Sequence, residues 1–172
     1  YVQFKNLWSA EIYANWTAKG NDFYESRNGG IYKGPGSFTI NLYVNSNRAK
    51  AYNAGGYLGY STRTMFNAKM YDLYFYQNFR LSDRLSFGTD FTYTPSYDFV
   101  SWVTFNGDQS VFSRYDRNTI ENSVDAKYNF TNKMGINLRA RHYWSDRRNK
   151  AFFDLQADGI LAAYQGASLE DL

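Results

Sequence analysis

His142 is the only histidine among 172 residues, which makes it the first side chain to test for acid–base chemistry near neutral pH. The nearest hydroxyl nucleophile in "HYWS" is Ser145, three residues on. On a strand, positions three apart point to opposite faces, so the two cannot act as one nucleophile–base pair. His142 therefore reads as an interfacial strand-end residue. No catalytic residue is assigned, and an enzyme is not expected.

A second set of chemically able residues is charged: Glu11, Asp72, Arg80, Asp90, Glu121, Asp125, Lys127, Arg139 and Arg141. Each falls on the polar side of an alternating segment, and Asp125 is expected opposite Arg139, with Glu121, Lys127 and Arg141 nearby. Such a cluster can form a solute-selective constriction or a structural lumen network. Cross-strand pairs of opposite charge add about 0.2–1 kcal/mol each, so the structural role suffices to explain them. Tyr24, Tyr32, Trp102 and Phe105 fall in expected surface loops, where aromatics stack on sugars or partner proteins or simply pack. "DLQADG" (154–159) has a calcium-loop flavour, but lacks the regular ligand spacing and the terminal Glu, and reads as a solvated loop. No metal or cofactor is expected.

The elements that hold these residues are legible from alternation. In "FRLSDRLSF" (79–87), apolar and polar residues alternate up to Asp83 and away from it again. A three-residue loop, Ser82-Asp83-Arg84, sets Leu81 against Leu85 and Phe79 against Phe87, whereas a two-residue loop would misalign the apolar faces. "NFTNKMGI" predicts a similar turn at Thr131-Asn132-Lys133, with Phe130 facing Met134 and Tyr128 facing Ile136. Ser46-Asn47-Arg48 predicts a third. Asn106-Gly107 is a two-residue hairpin signal that pairs Phe87 with Ala126 and Tyr93 with Ile120. The remaining connections, at 19–36, 62–67, 98–116 and after 146, are longer and richer in Gly, Asn and charge.

Aromatic residues are abundant, with 17 Tyr, 14 Phe and 4 Trp, while mean hydropathy is only −0.61. That combination suits strands with one apolar and one polar face. Neither a helical membrane protein nor a disulfide scaffold fits, since no apolar run reaches about 18 residues and cysteine is absent. A net charge of +3 scattered through the strands gives no nucleic-acid footprint. The start at Tyr1 and the polar "GASLEDL" at the end suggest a mature piece or a fragment.

Two readings compete for the apolar face: the core of a soluble ligand-binding β-barrel, or the lipid face of an outer-membrane barrel. Strands of 13 or more residues exceed the soluble norm of about 5–6. Aromatics gather near strand ends, with Trp16, Tyr60, Tyr71, Tyr93, Tyr97 and Trp144 at the loop end and Phe79, Phe87, Tyr128 and Phe130 at the turn end, as in interfacial girdles. Short turns at one end and long loops at the other complete the outer-membrane signature.

The blocks "FRLSDRLSF", "SVFSRYDRNTIENSVDAKYNF" and "YNFTNKMGINLRARHYW" resemble the C-terminal outer-membrane β-barrel region of Bacteroidota proteins that carry an N-terminal family-nine-like carbohydrate-binding domain. The likeness covers most of residues 37–155 and rests on turn and strand patterns. It implies fold and location rather than activity; some such proteins are labelled hydrolases, but no residue here would carry that label.

The expectation is an all-β, antiparallel up-and-down transmembrane β-barrel. About seven of its strands are visible, as part of a larger barrel. Residues 1–172 form a single barrel segment, with 147–172 a surface loop or tail. The function expected is a pore, transport or ligand-binding barrel in the outer membrane of a Gram-negative bacterium. The alternatives are a non-enzymatic scaffold subunit of a larger outer-membrane complex and a soluble ligand-binding β-barrel. The partners expected are the lipid bilayer, other outer-membrane or surface subunits, and glycans or small solutes, without nucleic acid.

Overall fold

The computed structural model describes residues 1–165, and these contain strands and turns but no helix. The strands are β1 (Val2–Gln3), β2 (Ser9–Thr17), β3 (Gly20–Asp22), β4 (Tyr32–Gly34), β5 (Ser37–Asn45), β6 (Tyr52–Arg63), β7 (Lys69–Arg80), β8 (Leu85–Asn106), β9 (Gln109–Thr131), β10 (Met134–Leu155) and β11 (Leu161–Ala163). Nine of them form one antiparallel meander in the order β1-β2-β5-β6-β7-β8-β9-β10-β11, and β3–β4 is a separate hairpin. The sheet is open, since no strand pair joins its two edges among the described residues.

Period-two patterning gives the sheet its two faces. Phe38, Ile40, Leu42 and Val44 on β5 share a face with Tyr60, Leu58, Leu73 and Phe75 through the pairs Ile40↔Tyr60, Leu42↔Leu58 and Leu58↔Leu73. The opposite face carries Thr39, Asn41 and Tyr43, which pair with Ser61, Gly59 and Tyr57. The expected register is found at Phe79↔Phe87, Phe87↔Ala126, Tyr93↔Ile120, Tyr128↔Ile136 and Asp125↔Arg139.

The turns show where alternation misleads. At 82–84 the three-residue loop forms as expected, with the Leu81 amide donating to the Leu85 carbonyl at 2.9 Å and Ser82 Oγ accepting from the Arg84 and Leu85 amides. At the next turn of this end Thr131 pairs with Met134, so the loop is the two residues Asn132-Lys133. A bulge between Met134 and Gly135 restores the register before Ile136. After β5 the connection runs from 46 to 51, longer than the three residues expected.

Residues 98–116 are not a loop. β8 and β9 run on to a tip at Gly107-Asp108, where Asn106 pairs with Gln109, and bulges between Ser96 and Phe99 and between Trp102 and Thr104 absorb two extra residues. The extended Phe87↔Ala126 register and the true tip are thus both satisfied. Residues 147–155 likewise belong to β10 rather than to a surface tail, because their backbone pairs with β9 as far as Asp154↔Val111. Beyond β10, residues 156–160 form a turn into β11, and 166–172 lie outside the described residues.

The upper parts of β8–β10 overhang the rest of the sheet, and all the well-buried apolar side chains among the described residues gather there. One cluster joins Tyr32, Phe112 and Leu155, with Met65, Trp102 and Phe153 against it; a second joins Ala68, Phe99 and Tyr115. Phe112 and Tyr115, three apart on β9, serve opposite faces. The 18–36 segment reaches across to this overhang. Its Lys33 amide donates to the Gly159 carbonyl at 2.9 Å, Glu25 accepts from the Trp102 amide, and Asn28 donates to the Asp108 carbonyl. Ser110 Oγ donates to the Ser26 carbonyl in the same seam.

Candidate functional site

All nine expected charged residues, Glu11, Asp72, Arg80, Asp90, Glu121, Asp125, Lys127, Arg139 and Arg141, occupy register positions on the polar face. Asp125 sits opposite Arg139, yet no ion pair joins them among the described residues; the close pair is Arg141 to Glu121 at 2.6 Å. Arg80 reaches the Ala49 carbonyl in the 46–51 turn.

Asp72 and Asp90 anchor a tyrosine row. Tyr57 donates to Asp72 Oδ2 at 2.8 Å and Tyr74 donates to Asp90 Oδ1 at 2.9 Å. Thr94 donates to the other Asp72 oxygen and Ser123 to the other Asp90 oxygen, so both carboxylates are doubly held. The rings of Tyr43, Tyr57, Tyr74 and Tyr76 follow one another at 5.2, 5.5 and 6.1 Å between centroids. Tyr76 closes the row by donating to Asn45 Oδ1.

Local backbone chemistry makes room for this row. Pro95 has no amide to give, and the β7–β8 ladder skips from Met70↔Ser96 to Leu73↔Tyr93. In the gap, Thr94 bonds to the Asp72 side chain. A Cβ at Gly59 would stand 3.2 Å from the Asp72 Cβ, and one at Gly55 would stand 2.8 Å from the Tyr76 ring, so these glycines are the floor on which the larger side chains lie. The charged pattern singled out Asp72 and Asp90 but missed the tyrosines, although Tyr43, Tyr57, Tyr74 and Tyr76 share the polar parity and were detectable by it.

A second polar cluster lies at the base of the overhang. Lys150 Nζ is 2.7 Å from Asp116 and 2.9 Å from Asp98, and Arg114 lies 3.6 Å from Asp98. Asp98, in a left-handed conformation (φ 57°) at the β8 bulge, donates its amide to Asp116 Oδ1. Burial opposes ionisation of Asp116, but the hydrogen bonds from Lys150 and from the Asp98 amide outweigh it and hold the carboxyl below its ordinary value. Hydrogen bonding to the same two carboxylates raises the Lys150 ammonium. These residues were missed because 98–116 and the stretch after 146, which holds Lys150, read as loop.

The four loop aromatics part company. Tyr24 is 89% exposed, and Phe105 stands beside Trp102 at 5.2 Å. Tyr32 is buried against Phe112 at 4.8 Å, its hydroxyl meeting Met65 Sδ; it is a core residue, not a surface contact. Burial pushes its phenol up to about 12. Trp102 lies in β8 and packs against the same cluster. His142 and Ser145 take opposite faces, His142 beside Asn122 and Ser145 beside Thr119. No group of three or more His, Asp or Glu suited to a metal occurs among the described residues. In 154–159, Asp154 is buried and Asp158 caps the Ile160 amide, consistent with a structural turn.

The sequence matches, over residues 1–171, the family described as Domain of unknown function (DUF5916). No curated protein and no solved structure matches the chain.

Proposed function

For a chain that belongs to the DUF5916 family, we propose the role of an outer-membrane β-barrel segment whose apolar face meets lipid and whose polar face lines a passage for small polar solutes. One observation carries the reading. Among the described residues nothing covers either face of the sheet below the overhang, so Ile40, Leu42, Leu58, Phe75 and Leu138 stand 39–62% exposed in a continuous apolar band. Water is a poor medium for such a band; a patch of this extent marks contact with another apolar phase. Hydrocarbon fits it, and the strands are long enough to cross about 30 Å of it when tilted.

The opposite face supports a wet lumen, because Tyr57 and Tyr74 are hydrogen-bonded to Asp72 and Asp90, Arg141 is bonded to Glu121, and no apolar filling covers them among the described residues. Residence in the outer membrane of a Gram-negative bacterium is part of this reading, and the turn and strand blocks at 79–87 and 128–144 support kinship with barrel domains of Bacteroidota surface proteins. Reconstitution into planar bilayers tests it: the full polypeptide is expected to give discrete conductance steps. Folding in the soluble fraction without detergent would overturn the membrane role.

A scaffold reading has its own support in the overhang, where Tyr32, Phe112 and Leu155 pack a solid cluster over the loop end. A membrane-embedded barrel with no conductance would favour that role, with the loop-end surface holding another subunit.

A further inference from the structure

We propose that Arg117 and Arg147 form a seat for a small oxyanion, a phosphate or carboxylate group carried by a solute, on the polar face of the sheet where β9 and β10 enter the overhang.

The register sets these two arginines directly opposite each other, the one pair of like charges so placed among the described residues. Like charges at facing positions destabilise a sheet, because the Cβ atoms stand only about 4.5–5.5 Å apart. No carboxylate relieves the repulsion. In the ion pairs of the described residues Asp98 and Asp116 go to Lys150 and Arg114, Asp146 to Arg148 and Glu121 to Arg141, and none reaches Arg117 or Arg147. Asp116 and Asp146, next in sequence to the two arginines, face the other side of the sheet.

Both guanidinium groups are nonetheless held together. Each lies over the ring of Tyr115, Arg147 at 3.8 Å and Arg117 at 5.9 Å from its centroid, and Tyr115 is itself fixed against Ala68 and Phe99. Arg147 donates through Nε to Asn149 Oδ1 at 3.1 Å and through Nη2 to Ser113 Oγ; Ser113 in turn donates to Asn149 Oδ1 at 2.9 Å. Arg117 makes no side-chain hydrogen bond among the described residues, and both arginines are exposed. An anion between them would cancel the repulsion, and the edge of a guanidinium matches two oxygens of a phosphate or carboxylate at once.

The next rung on the same face suits such a guest. Thr119 and Ser145 stand opposite each other with their hydroxyls 3.3 Å apart, neutral groups able to donate to an anion. The first carboxylate beyond them on β9 is Glu121, which Arg141 already holds. The seat lies on the face away from the apolar band, so a solute rather than a lipid headgroup supplies the oxyanion. This names a solute class for the proposed passage and rests on that reading for transport, though not for binding.

Titration calorimetry of the full polypeptide with inorganic phosphate, in an uncharged and phosphate-free detergent, tests the seat without requiring a pore. Saturable binding is expected. Arg117→Gln and Arg147→Gln should each weaken it about tenfold or more, the loss of a charge-assisted contact. Arg117→Lys keeps the charge but not the fork and should weaken it less. Arg84→Gln, in the 82–84 turn at the opposite end, removes the same charge and should leave binding unchanged. Because Arg117→Gln relieves a repulsion, it is expected to resist urea at least as well as the parent chain, so its loss of binding is not a loss of fold. Absence of binding by the parent, or equal weakening by Arg84→Gln, overturns the proposal. Displacement of phosphate by phosphatidylglycerol would give the pair to a lipid headgroup and overturn it too. Conductance in planar bilayers without phosphate binding would leave the passage and overturn the seat, and phosphate binding without conductance would do the reverse.

Discussion

Glycines show how much a single position decides in this sheet. A Cβ on Gly56 would fall almost on the Tyr74 carbonyl oxygen of the neighbouring strand, and backbone cannot step aside as a side-chain tip can. The nearest atoms to a Cβ on Gly55 would belong to the Asn45 and Tyr76 side chains, which can rotate away. A Cβ on Gly20 would meet nothing within 4 Å. Gly56→Ala is therefore expected to destabilise the fold by about 1–3 kcal/mol, the usual cost of forced overpacking. Gly55→Ala should cost less, and Gly20→Ala nothing measurable. Urea unfolding of the three variants in one detergent or lipid checks the order, and equal costs at positions 56 and 20 would refute the close approach. None of this is visible in the string "YNAGGYLGY": alternation assigns Gly55 and Gly56 to opposite faces, but which of them touches backbone depends on local coiling of β6 against β7.

At the scale of elements, the bulges are what the sequence conceals. Parity located the 82–84 turn and the Phe87↔Ala126 pairing because apolar residues punish a one-residue slip. Above Ser96 that penalty fades, since both faces of β9 become covered and the polar–apolar contrast no longer identifies a side. The left-handed Asp98, the tip at Gly107-Asp108 and the upper half of β10 were consequently illegible, and with them the Lys150 cluster. That cluster fastens the bulge, and its protonation ties the fastening to pH. Asp116 has a lowered pKa in the folded chain, so its stabilisation is present above the ordinary 3.8 and is lost as pH falls through the depressed value. Lys150 has a raised one, so its stabilisation is present below 10.5 and is lost as pH rises through the elevated value. Protection of the Asp98 amide, its exchange measured against an unstructured amide at the same pH, should therefore hold between these limits and fall in stronger acid and in stronger alkali. Asp116→Asn is expected to flatten the acid limb while leaving the β2–β5 amides unchanged. An acid limb as steep as that of the parent chain would show that Asp116 does not hold the bulge.

The whole molecule divides its cohesion unequally: side-chain packing holds the loop end, while the lower sheet is held by its ladders and by the polar row from Tyr43 to Ser123. A soluble sheet would need a second layer against Leu42, Leu58 and Phe75, and none lies over them among the described residues. The proposed lipid-facing role makes a depth-dependent prediction that a soluble role does not. Leu58 lies near mid-strand on the apolar face, paired with Leu42 and Leu73, whereas Leu81 stands at the turn end beside the 82–84 loop. Both are well exposed, at 59% and 66%, so in water either could be exchanged for arginine at little cost. In a bilayer, Leu58→Arg is expected to lower unfolding stability by about 2–4 kcal/mol and Leu81→Arg by about 0–1 kcal/mol, the difference between midplane and interface for an arginine on a barrel's outer face. Reversible urea unfolding from phospholipid vesicles measures both. The gap should widen in thicker bilayers, as Leu58 is carried farther from headgroups to which a long side chain can reach. Equal costs for the two substitutions, unchanged by lipid thickness, would place the apolar band against protein or water instead.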